Sequence, residues 1–203
     1  MAHPEPIGPM TVDEYFDFEE RSPIRHEYVE GEVYAMSGVT RRHSAIVGNV
    51  HARLHAAARG GPCRVHVVDV KLHMGRVIYY PDVMAACGPE PSDERVEDAP
   101  CLVVEVLSPS TERIDRHEKL DTYRRVPSLG TYLIIAQEEQ RVDRYWRDGD
   151  VWRREVIVEQ GTIPLPCEPL GGVSLTLDEI YDGVTMPTPE QRLRLREDEA
   201  AYR

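Results

Sequence analysis

No run in the sequence approaches the roughly 18 to 20 consecutive apolar residues that a membrane span needs. The opening stretch, MAHPEPIGPMTVDEY, has neither a basic n-region nor an apolar h-region, so no membrane segment is expected and the cytoplasm is the expected location. Positive charge is scarce: 24 Lys and Arg stand against 36 Asp and Glu, for a net charge of −12. Such a field repels phosphates and argues against tight nonspecific adhesion to nucleic acid or anionic lipid. It leaves room for a local cationic groove, or for a metal that reverses the field at one site. The sequence has no C-x-x-C pair, no internal repeat and no low-complexity tract. Its four cysteines, Cys63, Cys87, Cys101 and Cys167, are far apart in the chain, so reduced thiols are expected in place of a zinc ribbon or redox pair. What remains is 203 residues, 41% hydrophobic and 30% charged, enough for one globular domain with a real core.

Capping-box spacing at Thr11 and Glu14 predicts a short helix from Val12 to Glu20, ended before Pro23. Tyr28, Val33 and Tyr34 flank Glu30-Gly31 as in a hairpin. Ile46, Val47, Val50 and Leu54 recur at helical spacing between His43 and Arg59, where Gly60-Gly61-Pro62 stops the pattern. Three strands are expected at Arg64 to His73, Val77 to Ala86 and Cys101 to Leu107, with a solvent-facing loop from Gly88 to Pro100. Ser108-Pro109 reads as the start of a helix running to about Arg125, followed by a buried strand from Gly130 to Ala136. Arg141 to Tyr145 and Val151 to Val158, joined at Asp148-Gly149, read as an added antiparallel hairpin. Val173 to Leu177 reads as a strand or connector, and Leu177 to Tyr181 as one helical turn. The tail from Thr188, with a second capping box at Gln191 and few apolar residues, reads as a solvated or partner-docked helix.

Polar groups inside the apolar strands are the chemical signal. Asp82 follows Pro81, and Glu105 stands in LVVEVL, where period-2 geometry puts Val103, Glu105 and Leu107 on one face. An unpaired ionised carboxylate there costs several kcal/mol, so it must be paired, hydrogen-bonded or bound to a cation. Two carboxylates from adjacent strand ends with a backbone carbonyl, such as that of Val106, form an all-oxygen set suited to Mg2+ or Mn2+. The competing reading is a buried ion pair of Glu105 with Lys71 or Lys119. Glu27 is either a further carboxylate of the site or a surface strand charge.

Pro81-Asp82, then PCLVVEVLSPST with Glu105, then DRHEKLDTY with Asp115, Lys119 and Tyr123, resembles the Uma-two endonuclease family. HEYVEGEVYAMSG, with Glu27 and Gly31, and the helix-opening His43 extend the resemblance over roughly residues 10 to 183. It implies the PD-(D/E)XK restriction-endonuclease-like superfamily, with Asp82 and Glu105 as metal-binding carboxylates. The superfamily's lysine, two residues beyond the (D/E), is replaced here by Leu107. Leucine cannot polarise water, so either the chemistry is lost or a cation reaches the same space from another element. Lys119 is the candidate, the alternative being an ordinary i, i+4 partner of Asp115, and Lys71 is the runner-up.

The reading is therefore an α/β domain over residues 10–186, a mixed β-sheet flanked by helices, with an N-terminal extension (1–9) and a charged tail (187–203). The expected activity is metal-dependent hydrolysis of phosphodiester bonds, with DNA as substrate and a homodimer as the assembly. Asp82, Glu105 and Lys119 would be catalytic, Asp82, Glu105 and Val106 would hold Mg2+ or Mn2+, and Glu27, His43 and Lys71 would be accessory. The alternatives are a catalytically silent nuclease-fold binding module and a structural partner protein.

Overall fold

The structure is a computed structural model and describes residues 6–107, 114–167, 170, 172–188 and 190–192. Its elements in chain order are α1 (Val12–Arg21), β1 (His26–Val29), β2 (Glu32–Ala35), α2 (Arg41–Ala58), β3 (Arg64–Val67), β4 (Lys71–Met74), β5 (Val77–Tyr79), β6 (Val83–Ala86), β7 (Val96–Glu97) and β8 (Pro100–Val106). A π-helical segment, Ile114–Lys119, runs into α3 (Leu120–Tyr123). Then come β9 (Thr131–Ile135), β10 (Arg141–Asp148), β11 (Val151–Val158), β12 (Thr162–Pro164), β13 (Ser174–Thr176) and α4 (Leu177–Ile180). The expected helix start at Ser108-Pro109 and the tail beyond Arg192 lie outside the described residues.

Local signals set the ends of these elements. Thr11 and Glu14 form both bonds of the capping box on α1, and Thr176 and Glu179 do the same on α4. The two-residue turns at Glu30-Gly31 and Gly149-Asp150 rest on positive φ at Glu30 (52°), Gly31 (109°) and Gly149 (60°), which match the twist of the hairpins they close. The main sheet has the order β11-β10-β9-β8-β6-β3 and is mixed: β8 and β9 pair in parallel, and its other neighbours are antiparallel. A second sheet has the order β2-β1-β5-β4-β7, and β12 pairs with β13.

Alternation along β8 builds the two sides of the main sheet. Leu102, Val104 and Val106 face α2, packing with Ile46, Val50 and Leu54. Val103 and Leu107 face the other way, into a cluster with Tyr79, Tyr123, Tyr132 and Ile134. Each such side chain, fully buried, contributes about 1.5–3 kcal/mol. Among the described residues no helix is long and apolar enough to cross a membrane.

Two of the expected strands are each divided between the sheets. Arg64 to His73 breaks into β3 and β4 at Val68 and Asp69, whose φ values of 42° and 62° turn the chain out of the main sheet. Val77 to Ala86 breaks into β5 and β6 at Tyr80-Pro81-Asp82, where proline has no N–H to give to a ladder. Strand-forming residues continue on both sides of each break, so hydrophobicity does not say which sheet each half joins. The supposed loop from Gly88 to Pro100 contains β7, which pairs in parallel with β4 and buries Glu97 against Arg64 (2.9 Å). Trp146 and Trp152 on the hairpin are half-buried, with the guanidinium groups of Arg144 (4.2 Å) and Arg147 (5.1 Å) over their rings.

Asp143 on β10 is 1% exposed and accepts from Arg116 (2.7 Å), Arg154 (2.7 Å) and Arg141 (3.2 Å), fastening the π-helical segment to the hairpin. Burial would raise its pKa, but the three guanidinium bonds outweigh burial and hold it below the ordinary aspartate value. A depressed carboxylate stabilises the fold above its unfolded pKa of about 3.9 and loses that contribution as pH falls toward the folded value. Asp143→Asn should cost about 1–3 kcal/mol at neutral pH, because its arginine partners keep access to water. The deficit should shrink in acid unfolding below about pH 4, and an equal deficit at pH 7 and pH 3 would show that packing, not charge, is lost.

Candidate active site

β6 and β8 are antiparallel, with Val83 opposite Val104, so Asp82 before β6 and Glu105 near the end of β8 meet at one end of the pair. The Val106 backbone N–H donates to Asp82 Oδ2 at 2.7 Å. In an extended strand the N–H and C=O of one residue leave by the same edge, which turns the Val106 carbonyl toward Asp82 as well. His43, in the first turn of α2, puts Nε2 3.2 Å from the same Asp82 oxygen.

Glu105 is 4% exposed and accepts on Oε1 from the Tyr123 hydroxyl (2.8 Å) and Lys119 Nζ (3.1 Å). Lys119 also reaches Glu27 (2.9 Å) and Asp115 (3.3 Å), and its ammonium lies 5.1 Å from the centre of the Tyr79 ring. One buried cation thus gathers a carboxylate from the β1–β2 hairpin, one from β8 and one from its own helical segment. That segment is π-helical, a rare geometry concentrated at functional sites.

Among the described residues Lys119 is shared by Glu27, Glu105 and Asp115, while Asp82 is held by His43. Burial pushes the Glu105 carboxyl well above the usual range; Lys119 opposes this, while Asp115, Asp82 and Glu27 add to it. Burial alone would lower Lys119, but Glu105, Glu27 and Asp115 outweigh it and lift the ammonium well above its ordinary value. Lys119 therefore stays protonated and acts as a fixed positive charge. Burial, then Glu105, raises the Tyr123 hydroxyl, which remains a donor. Carboxylate and carbonyl oxygens are the ligands a hard divalent cation takes, and Asp82, Glu105 and the Val106 carbonyl offer them at one end of the β6–β8 pair. Asp82 and Glu27, with side chains 15% and 12% exposed, form the site's more open side.

Of the sequence candidates, Asp82, Glu105, Val106, Lys119, Glu27 and His43 converge, whereas Lys71 does not. The chain crossing at Val68-Asp69 carries Lys71 into the second sheet, where its ammonium lies 5.3 Å from the Tyr80 ring and 5.9 Å from Phe16. Leu107, at the superfamily's lysine position, is buried in the apolar cluster on Glu105's face. Sequence reasoning missed Thr40 and Gln137. Gln137 donates to the Leu107 carbonyl (2.9 Å) and accepts from Thr40 Oγ1 (2.6 Å), and Thr40 Oγ1 accepts from the His43 N–H (3.1 Å). This chain ties the end of β8 to the start of α2. Thr40 was detectable as an N-cap three residues before His43; nothing local distinguishes Gln137 from any polar residue after a strand.

A mixed sheet with helices, carrying acids at the ends of two neighbouring strands and a lysine on the following helix, has the form of a restriction-endonuclease-like nuclease domain. The family described as "Uma2: Putative restriction endonuclease" matches residues 12–178, and the chain belongs to that family. Two uncharacterized proteins of Synechocystis sp. are related: slr1290, 34% identical over 88% of this chain and 95% of its own length, and sll1609, 30% identical over 70% and 82%. The fold is shared with a crystal structure described as a putative nuclease belonging to DUF820 from Anabaena variabilis. That match has a TM-score of 0.73 and 19% identity, over 87% of this chain and 100% of that one.

Proposed function

We propose that the protein is a metal-dependent endonuclease that hydrolyses phosphodiester bonds in DNA. The observation that carries this reading is the meeting of Asp82 and Glu105 across β6 and β8, with Lys119 supplying the cation that Leu107 lacks. Asp82, Glu105 and the Val106 carbonyl would hold Mg2+ or Mn2+, which supplies Lewis-acid polarisation of phosphate and water. His43 and the Val106 N–H fix the Asp82 carboxylate, while Lys119 and Tyr123 fix Glu105. Lys119, held protonated, contributes preorganised positive charge against the charge that builds on the phosphate. Arg41 and Arg42 open α2 beside His43, where cations oppose the helix dipole. That arrangement suits contact with phosphates on an otherwise acidic protein.

The test is Mn2+- or Mg2+-dependent cutting of supercoiled plasmid by wild-type protein and by Asp82→Asn. Asparagine keeps an acceptor for the Val106 N–H, so the variant should fold, but it should lose the Mn2+-induced rise in melting temperature and cut roughly 10²-fold or more slowly. Leu107 and the net charge of −12 favour a second reading, a catalytically silent nuclease-fold module. Mn2+ stabilisation without any cutting would establish that reading; no Mn2+ response at all would remove the metal site.

The homodimer is proposed on β11, a sheet edge among the described residues, which exposes Val151 (56%), Val156 (43%) and Val158 (52%). Light scattering giving 23.1 kDa, the mass of one chain, at tens of micromolar would exclude it.

A further inference from the structure

The four cysteines do not stand apart as the sequence suggests. Sheet register carries Cys63, just before β3, opposite Cys87, just after β6, and Cys101 enters on β8 beside the irregular pairing at Ala85/Ala86. Cys167, 3% exposed, arrives from the segment after β12. The sulfurs are paired as disulfides Cys63–Cys87 and Cys101–Cys167. The two pairs also abut: Cys87 Sγ lies 3.6 Å from Cys101 Sγ and 3.4 Å from Cys167 Sγ. Cys87, Cys101 and Cys167 all place their sulfurs within 4.8 Å of one another.

Two staples that each close a separate loop have no need to touch. Four thiolates around one zinc ion do: Zn–S bonds of about 2.3 Å in a tetrahedron put the sulfurs roughly 3.8 Å apart, close to the separations of Cys87 from Cys101 and Cys167. Cys63, bonded to Cys87 but outside that close group, would supply the fourth ligand by a shift of its side chain. Proline precedes three of the cysteines (Pro62, Pro100 and Pro166) and stiffens the segments that present them. Arg64 donates to the carbonyls of Gly88 (2.8 Å) and Pro89 (3.4 Å), immediately after Cys87, and so holds the chain that leaves that residue.

We propose that Cys63, Cys87, Cys101 and Cys167 form a structural zinc site in the reduced protein. Binding makes four Zn–S bonds and releases the four thiol protons, with no electron transferred. The disulfide-paired form must first take four electrons and four protons from a dithiol reductant. The site is separate from the candidate active site. Cys87 and Asp82 flank opposite ends of β6, and Cys101 and Glu105 lie four residues apart on β8, roughly 13 Å in an extended strand. Zinc would clamp the two carboxylate-bearing strands at their far ends.

The test is metal content of the full chain, purified with dithiothreitol under exclusion of oxygen. About one zinc per chain is expected, with release of that ion when an organomercurial titrates wild-type thiols. Cobalt exchanged into the site should show the thiolate-to-metal charge-transfer and d–d bands of a tetrahedral tetrathiolate. Cys101→Ser and Cys167→Ser should lose the zinc, whereas Asp82→Asn should keep it, which separates this site from the proposed catalytic one. The organomercurial and cobalt measurements use wild-type protein and stand even where the serine variants fail to fold. Reduced wild-type protein that takes up no zinc, or zinc retained by Cys101→Ser, would overturn the proposal.

Discussion

Lys119→Ala should cost the metal-free protein about 3–5 kcal/mol, the scale for removing one partner from a buried charge cluster. The reason is the arithmetic of the site: Lys119 is 4% exposed and is the ammonium shared by Glu27, Glu105 and Asp115, all within 3.3 Å. Its loss leaves those carboxylates to repel one another in a poorly solvated space. Added Mn2+ should therefore raise the melting temperature of Lys119→Ala by more than it raises that of wild type, since the ion replaces part of the missing charge. Plasmid cutting should still fall roughly 10²-fold or more, because a preorganised positive charge is gone from the reaction. Adding Leu107→Lys should recover only part of the activity. Leu107 is packed with Val103, Tyr132 and Ile134, and an ammonium there would be costly to bury. Thermal melts with and without Mn2+, beside a cutting assay, decide the matter. A Lys119→Ala protein as stable as wild type would refute its place at the centre of the cluster, and unchanged cutting would move the catalytic cation elsewhere.

Glu105→Gln separates function from stability in the opposite direction. The amide oxygen still accepts from Tyr123 and Lys119, while the repulsion from Asp82, Asp115 and Glu27 disappears. Because burial and those neighbours already disfavour the charged carboxyl, the metal-free variant should be as stable as wild type or more so. Its cutting should nevertheless fall by about 10²-fold or more, and its Mn2+ stabilisation should vanish. Gain or preservation of stability with loss of metal response is the pattern of a functional carboxylate. Destabilisation by several kcal/mol would identify Glu105 as the structural half of an ion pair with Lys119, the competing reading of a charged residue in LVVEVL.

Several elements were open to direct reading because their causes are local. Thr11 with Glu14 and Thr176 cap helices through bonds made within four residues, and the 141–158 hairpin closes over a two-residue turn. Period-2 alternation placed Glu105 on the face shared with Val103 and Leu107, and the cost of burying a carboxylate marked it for pairing. The family resemblance pointed to Lys119 because the motif's order is itself a feature of sequence.

The crossing of chain between sheets had one local mark, Pro81, and a proline breaks a ladder without saying which sheet each half joins. Both halves of Arg64 to His73 and of Val77 to Ala86 can extend as strands of either sheet, and only packing decides that β3 and β6 join one while β4 and β5 join the other. That division brought Asp82 to the sheet junction and took Lys71 away from the site. The same holds for contacts between distant segments: Glu27 reaches Lys119 across 92 positions of chain, and Gln137 reaches Thr40 across 97. Spacing rules for cysteine pairs read only neighbours in sequence, whereas Cys63, Cys87 and Cys101 become neighbours through ladder register and Cys167 joins them from the segment after β12. The sequence by itself thus determined the capped helices, the hairpins, the buried face of β8 and the family. Tertiary structure alone decided that Lys119 and not Lys71 joins Glu105, that Glu27 joins them, and which sulfurs touch, because those contacts are set by the packing of distant segments and not by any preference of the residues for their neighbours in the chain.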